Sequence, residues 1–153
     1  MEQGVLQLLP DAHIIKHPVS DGGEGLVSVV TPALGGCIVT TNVSGPLPGQ
    51  RVDARWGLSS NGSFAIIEMA EAAGLTLVPA DRRDPKLTTT YGVGELICAA
   101  LDAGVSSILI GIGGSATNDG GAGMAEALGV RFFDKAGNPL ARGGAALVDI
   151  ASI

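Results

Sequence analysis

Ser106-Ser107-Ile108-Leu109-Ile110-Gly111-Ile112 runs directly into Gly113-Gly114-Ser115-Ala116-Thr117-Asn118-Asp119-Gly120-Gly121, and that into Ala122-Gly123-Met124-Ala125-Glu126-Ala127-Leu128. An apolar run, a glycine-rich polar loop and a helix-like run, in that order, spell strand, loop, helix, the repeating unit of an α/β fold. Glycines let backbone N–H groups turn toward a ligand at angles other residues resist. The start of the following helix adds unpaired donors and a partial positive charge, so phosphate or carboxylate is the natural guest.

An echo of the same phrase, Asp21-Gly22-Gly23-Glu24-Gly25, stands near the start of the chain. Residues 13–19 alternate as a strand, residues 20–25 form the loop, and residues 26–33 form a short helix closed by Pro32 and Gly35-Gly36. Residues 1–36 thus read as a βα unit. Residues 37–43, 50–58 and 63–69 are β-rich runs separated by Ser44-Gly45-Pro46-Leu47-Pro48-Gly49 and by Ser59-Ser60-Asn61-Gly62. Asn-Gly between such runs signals a hairpin, which makes residues 37–70 an antiparallel excursion.

Residues 71–153 return to βα units. A helical turn ends at Gly74, and residues 79–86 form a polar loop carrying Arg82, Arg83 and Lys86. A third loop, residues 88–94, precedes a helix over residues 95–103 capped by Gly104, and residues 130–134 read as a further strand. The expected architecture is α/β, with a mostly parallel sheet, glycine-rich strand-to-helix loops and an antiparallel hairpin excursion. In a parallel sheet the loops at 20–25, 88–94 and 113–121 gather at the carboxyl ends of the strands and share one cleft.

Composition narrows the function. A hydrophobic content of 46% argues against disorder, and 24 glycines with 3% aromatic residues suit many tight strand-to-helix turns. The net charge of −6 argues against nucleic acid and anionic membrane as partners, since both require a concentrated basic face. With no leader or membrane-spanning run in view, the expected location is the cytoplasm. Cys37 and Cys98 stand far apart in apolar stretches and read as two buried thiols. The chain opens on an amphipathic helix tail, residues 4–9, and closes on an apolar run. Both ends look cut, and marginal folding is the expectation.

Asp21 and Asp119 each precede Gly-Gly at a helix start, where an aspartate can act as a cap. A carboxylate inside a loop built for anions would repel its guest, unless it holds Mg²⁺ or takes a proton from a substrate hydroxyl. Phosphoryl transfer needs both tasks. Glu68, ending an apolar run, is either paired or catalytic, while His13 and His17 have no ligand partners in view. A P-loop is absent. Gly111-x-Gly113-x-x-Ala116 with Asp134 fits a relaxed dinucleotide fingerprint, which keeps an oxidoreductase module as an alternative, beside a non-catalytic remnant.

Six segments together resemble the bacterial type-I glycerate kinase family. They are Pro18-Val19-Ser20-Asp21-Gly22-Gly23-Glu24-Gly25; Ser44-Gly45-Pro46-Leu47; Ile67-Glu68-Met69-Ala70 with Gly74-Leu75; Arg82-Arg83-Asp84-Pro85; Thr90-x-Gly92-x-Gly94-Glu95-Leu96-Ile97; and residues 110–121. The resemblance is collinear over nearly the whole chain. It implies ATP- and Mg²⁺-dependent phosphorylation of D-glycerate by a two-domain α/β kinase, of which residues 1–153 would be an incomplete region lacking the family's opening strand and a later glycine-rich segment. On this reading Asp119 and Asp21 handle metal or proton. Gly113, Gly114, Ser115, Thr117, Asn118, Gly120 and Gly121 cradle phosphate or glycerate. Gly22, Gly23, Glu24, Thr90, Gly92, Gly94, Arg82, Arg83 and Glu68 complete the binding set.

Overall fold

A computed structural model describes residues 1–153. Its frame is one four-stranded sheet in the order β1 (Cys37–Ser44), β2 (Arg51–Leu58), β3 (Phe64–Glu68), β4 (Ser107–Gly111). The helices are α1 (Glu2–Leu8), α2 (Leu26–Ala33), α3 (Met69–Ala73), α4 (Tyr91–Asp102) and α5 (Ala122–Ala127), with 3₁₀ turns at Leu75–Leu77, Ala80–Arg82 and Gly144–Asp149. The class is α/β, and no helix is long and apolar enough to cross a membrane.

The two hairpins form as the turn residues dictate, with β1 antiparallel to β2 and β2 antiparallel to β3. Only β3 and β4 run parallel, so the sheet is mixed rather than mostly parallel. Two expected strands account for the difference. Residues 13–19 carry a strand's alternation but enter no ladder, and Ile15 and Val19 lie exposed. A strand exists only where its N–H and C=O groups meet a partner edge, which a one-dimensional pattern cannot supply. Residues 130–134 fail for a local reason. Asp134 accepts the N–H groups of Ala136 and Asn138, turning the chain back, and Phe133 makes only isolated bridges to Pro139 and Ser152.

β3 explains its own apolar run. Ala65 and Ile67 face α4 within a cluster that includes Val43, Trp56, Val93 and Leu96, while Ile66 faces α2 with Leu26 and Val27. A strand covered on both faces has no reason to alternate. Helix α4 begins at Tyr91 rather than Glu95, so Gly92 and Gly94 are helical and buried. Cβ atoms there would lie 1.8 Å from the Ser44 carbonyl oxygen and 2.4 Å from that of Met124. These two glycines let α4 approach β1 and α5. Cys37, expected inside, is exposed at the end of edge strand β1, and Cys98 is half-buried.

Glu95 ties α4 to the first hairpin: one carboxylate oxygen accepts the Ser44 N–H at 2.5 Å and the other pairs with Arg51 at 3.1 Å. Burial opposes ionisation, but the Ser44 N–H and Arg51 outweigh it and hold the carboxyl below the usual glutamate range. A folded-state value below the unfolded one means stabilisation that is present above the unfolded value and is lost as pH falls through the folded one. Denaturation midpoints measured from neutral into acid are therefore expected to fall, and Glu95→Gln should flatten that decline.

Candidate active site

The loop at 113–121 is where the other two loops converge. The Gly113 N–H donates to the Gly22 carbonyl oxygen at 2.9 Å, and a Cβ on Gly113 would sit 2.6 Å from the Gly23 Cα. Glycine is needed there because two backbones nearly touch. From the other side, the Thr88 hydroxyl donates to the Ala116 carbonyl at 2.8 Å. The Leu75 N–H donates to Gly114 and the Ala116 N–H to Ala73, pinning the loop beside α3.

Asp119 is buried at the centre of this junction. Its carboxylate accepts from the Thr90 N–H at 2.8 Å, the Thr90 hydroxyl at 3.0 Å, the Thr89 hydroxyl at 3.4 Å, the Gly121 N–H at 3.1 Å and the Gly123 N–H at 3.2 Å. Thr90 in turn accepts the Met124 N–H at 2.9 Å. A single carboxylate therefore sits at the starts of both α4 and α5, where the helix dipoles favour negative charge. A carboxylate offers about four lone-pair positions, and five donors already compete for them.

Glu68 plays the matching part for α2. Both its oxygens accept the Gly25 N–H at 3.1 Å, and one accepts the Val27 N–H at 3.2 Å. The starts of α2, α4 and α5 are thus each met by a carboxylate of the chain itself. What remains uncommitted is the loop: the amides of Gly114, Ser115, Asn118 and Gly120 make no hydrogen bond within the protein. Ser115 and Thr117 hydroxyls lie 2.6 Å apart, and the Thr117 N–H donates to Ser115 at 3.1 Å.

Two carboxylates of the first loop stay open. Asp21 is exposed and accepts only the Gly23 N–H at 3.0 Å. Glu24 is exposed beside the loop at 113–121, for a Cβ on Gly114 would come within 2.7 Å of its Oε1. Arg82 and Arg83 are both exposed, but only Arg83 lines a cleft of about 230 Å³, with Leu75, Val78, Asp84, Ser115 and Thr117. Gly92 and Gly94 are not in the junction, being enclosed where α4 meets β1 and α5. Sequence reasoning missed Thr88, Thr89 and Asp84. Three successive threonines before a helix were a usable signal of a hydroxyl-rich cap. Asp134, the ribose partner of the dinucleotide alternative, spends its oxygens on its own turn at residues 136–138.

Known proteins bear on this geometry. The sequence model of the glycerate kinase family matches residues 1–153. The chain is 52% identical over 147 residues to Glycerate 2-kinase of Escherichia coli (strain K12), covering 96% of this chain and 38% of that protein. It is 53% identical over 153 residues to Glycerate kinase of Bacillus subtilis (strain 168), covering 100% and 40%. A crystal structure described as glycerate kinase 2 from Salmonella typhimurium LT2 superposes with a TM-score of 0.85 at 56% identity, over 99% of this chain and 40% of that one. The chain therefore spans about two fifths of the relatives it matches, and the dinucleotide alternative is not favoured. On a match that runs from end to end, the chain belongs to the glycerate kinase family.

Proposed function

We propose that this chain forms part of a cytoplasmic kinase that transfers the γ-phosphoryl group of ATP to D-glycerate, with Mg²⁺ as cofactor. The observation that carries the reading is the family match combined with a loop whose amides at Gly114, Ser115, Asn118 and Gly120 are uncommitted beside the Asp21–Glu24 turn. Unpaired N–H groups on a glycine-rich loop suit the oxygens of a phosphate. The name of the Escherichia coli relative supports the 2-hydroxyl as acceptor.

The donor sets divide the roles. Asp119 does not fit a Mg²⁺ ligand, because Mg²⁺ requires oxygens at about 2.0–2.1 Å and the Asp119 oxygens are surrounded by five protein donors. Asp119 positions the loop. Asp21 and Glu24 fit better, since Mg²⁺ is usually held by one or two carboxylates plus phosphate oxygens. When bound, Mg²⁺ supplies charge neutralisation at the phosphates. The chain's own part is to orient the phosphate on the loop amides and to hold Asp21 and Glu24 beside it, one carboxylate to hold the metal and the other to accept the proton of the acceptor hydroxyl.

The test is a hybrid in which residues 1–153 replace the matching 40% of the Bacillus subtilis relative. Glycerate-dependent ADP release with Mg-ATP and formation of 2-phosphoglycerate are expected. Asp21→Asn should lower kcat by about 10²–10⁴-fold at unchanged stability. Residues 1–153 alone are expected to show no turnover, because donor and acceptor must be positioned together. A hybrid without glycerate-dependent turnover would overturn the reading.

A further inference from the structure

The two edges of the sheet differ in how they are protected. Edge strand β1 is polar at its centre, with Thr40, Thr41 and Asn42, and the Arg51 guanidinium donates to the Asn42 carbonyl oxygen at 2.6 Å. Polar and charged side chains of this kind keep an edge from pairing with another chain. β4 has no such protection. It bonds β3 on one side, and residues 108–112 make no hydrogen bond outside that ladder. From Val105 to Asn118 the chain has neither a charge nor a proline, and Leu109 and Ile112 lie exposed, Ile112 by 73%. An open row of N–H and C=O groups flanked by wet apolar side chains calls for a strand.

The chain also holds a strand without a ladder. Residues 13–19 lead into the turn whose Gly22 carbonyl oxygen accepts the Gly113 N–H at 2.9 Å, so they end beside the carboxyl end of β4. Yet no backbone group of residues 13–19 is hydrogen-bonded. Pro18 bars the last positions from a ladder, which leaves residues 13–17, five residues to match the five of β4. α1 precedes them with no buried residue, and Val5, Leu6, Leu8 and Leu9 are exposed.

Complementarity and charge both favour a second copy of this chain as the occupant. Each copy carries both halves of a pairing, an open edge and an unladdered strand, so a two-fold exchange meets both needs at once. Copies bearing a charge of −6 each repel on most faces, whereas residues 13–17 hold Lys16 and no acid, and β4 is uncharged. A stable interface buries about 1,200–2,000 Å². Reciprocal pairing doubles what a single strand edge contributes and adds the apolar side chains of α1 to it. We infer that two copies of residues 1–153 associate by laying residues 13–17 of each along the β4 edge of the other.

The test is sedimentation equilibrium of residues 1–153 over a range of concentrations, with hydrogen exchange read at residues 13–17. A monomer–dimer equilibrium is expected, with these amides unprotected in dilute samples and protected in concentrated ones. Leu109→Lys should weaken dimerisation about tenfold or more, while Thr40→Lys on the β1 edge should leave it unchanged. Successive residues of a strand turn their N–H groups to opposite sides, so one of Ile14→Pro and Ile15→Pro must remove a ladder donor and abolish the dimer. Neither proline should lower the unfolding midpoint of the dilute monomer, because no backbone bond is lost there. Should Leu109→Lys fail to fold, the proline pair decides. The inference is overturned by a monomer at every concentration, by open-ended aggregates in place of a dimer, or by Thr40→Lys matching Leu109→Lys. A dimer that both proline variants keep, even if Leu109→Lys breaks it, overturns it equally, since β4 would then be pairing with something other than residues 13–17.

Discussion

Asp119→Asn is expected to lower the stability of the chain by about 2–3 kcal/mol, read as a shift of the urea midpoint at constant slope. The substitution keeps shape but puts an NH₂ group where N–H donors already point. One side of the Asp119 carboxylate faces the Thr90 and Gly123 amides and the other faces the Gly121 amide, so either orientation of the new amide meets a donor with a donor. A buried donor without an acceptor costs about 1–3 kcal/mol. Asp119→Ala leaves every donor unanswered and adds a cavity, for an expected loss of about 3–5 kcal/mol. If Asp119→Asn instead keeps the parental midpoint while abolishing turnover of the hybrid, the carboxylate acts on metal or proton and the positioning role fails.

Gly92→Ala carries the second large effect, and its sign opposes helix propensity. In an exposed helix interior the change would stabilise by about 1 kcal/mol. Here the added methyl carbon would lie 1.8 Å from the Ser44 carbonyl oxygen, a backbone atom fixed by the β1–β2 hairpin and by the Glu95 contact to the Ser44 N–H. Relief requires moving α4 off the sheet that it covers with Val93 and Leu96. Overpacking of this kind costs about 1–3 kcal/mol and occasionally more. A net loss of about 2 kcal/mol is expected in urea denaturation. A gain in stability would mean that α4 can shift without loss of packing.

Much of this architecture was legible wherever neighbours in sequence are neighbours in space. Residues 26–33 read as a helix and form α2 with the same bounds, and Asn61-Gly62 marked the turn between β2 and β3. What required long-range partners was not legible. Residues 13–19 carry the alternation without a ladder. Gly92 and Gly94 read as loop because glycine weakens helices, although in α4 their missing side chains are what the packing requires. The glycine loop between strand and helix was legible as a loop, but Glu68 and Asp119 reach donors 41 and 29 residues away, and nothing in the one-dimensional pattern announces such pairings. The aspartate beside Gly-Gly was therefore open to two readings, metal or proton on one side and cap on the other. Its partners favour the cap.

The shared hold of Asp119 on Thr90, Gly121 and Gly123 has a kinetic side. Neither α4 nor α5 can fray at its start without breaking bonds that belong to the other, so the second half of the glycine loop inherits the lifetime of the core. The first half is tied to other elements in its turn, through Gly113 to Gly22, Gly114 to Leu75, and Ala116 to Ala73 and Thr88. Loosening the loop at either end thus costs bonds owned by another element, so its four uncommitted amides are held out on a frame that outlasts the passage of any one ligand.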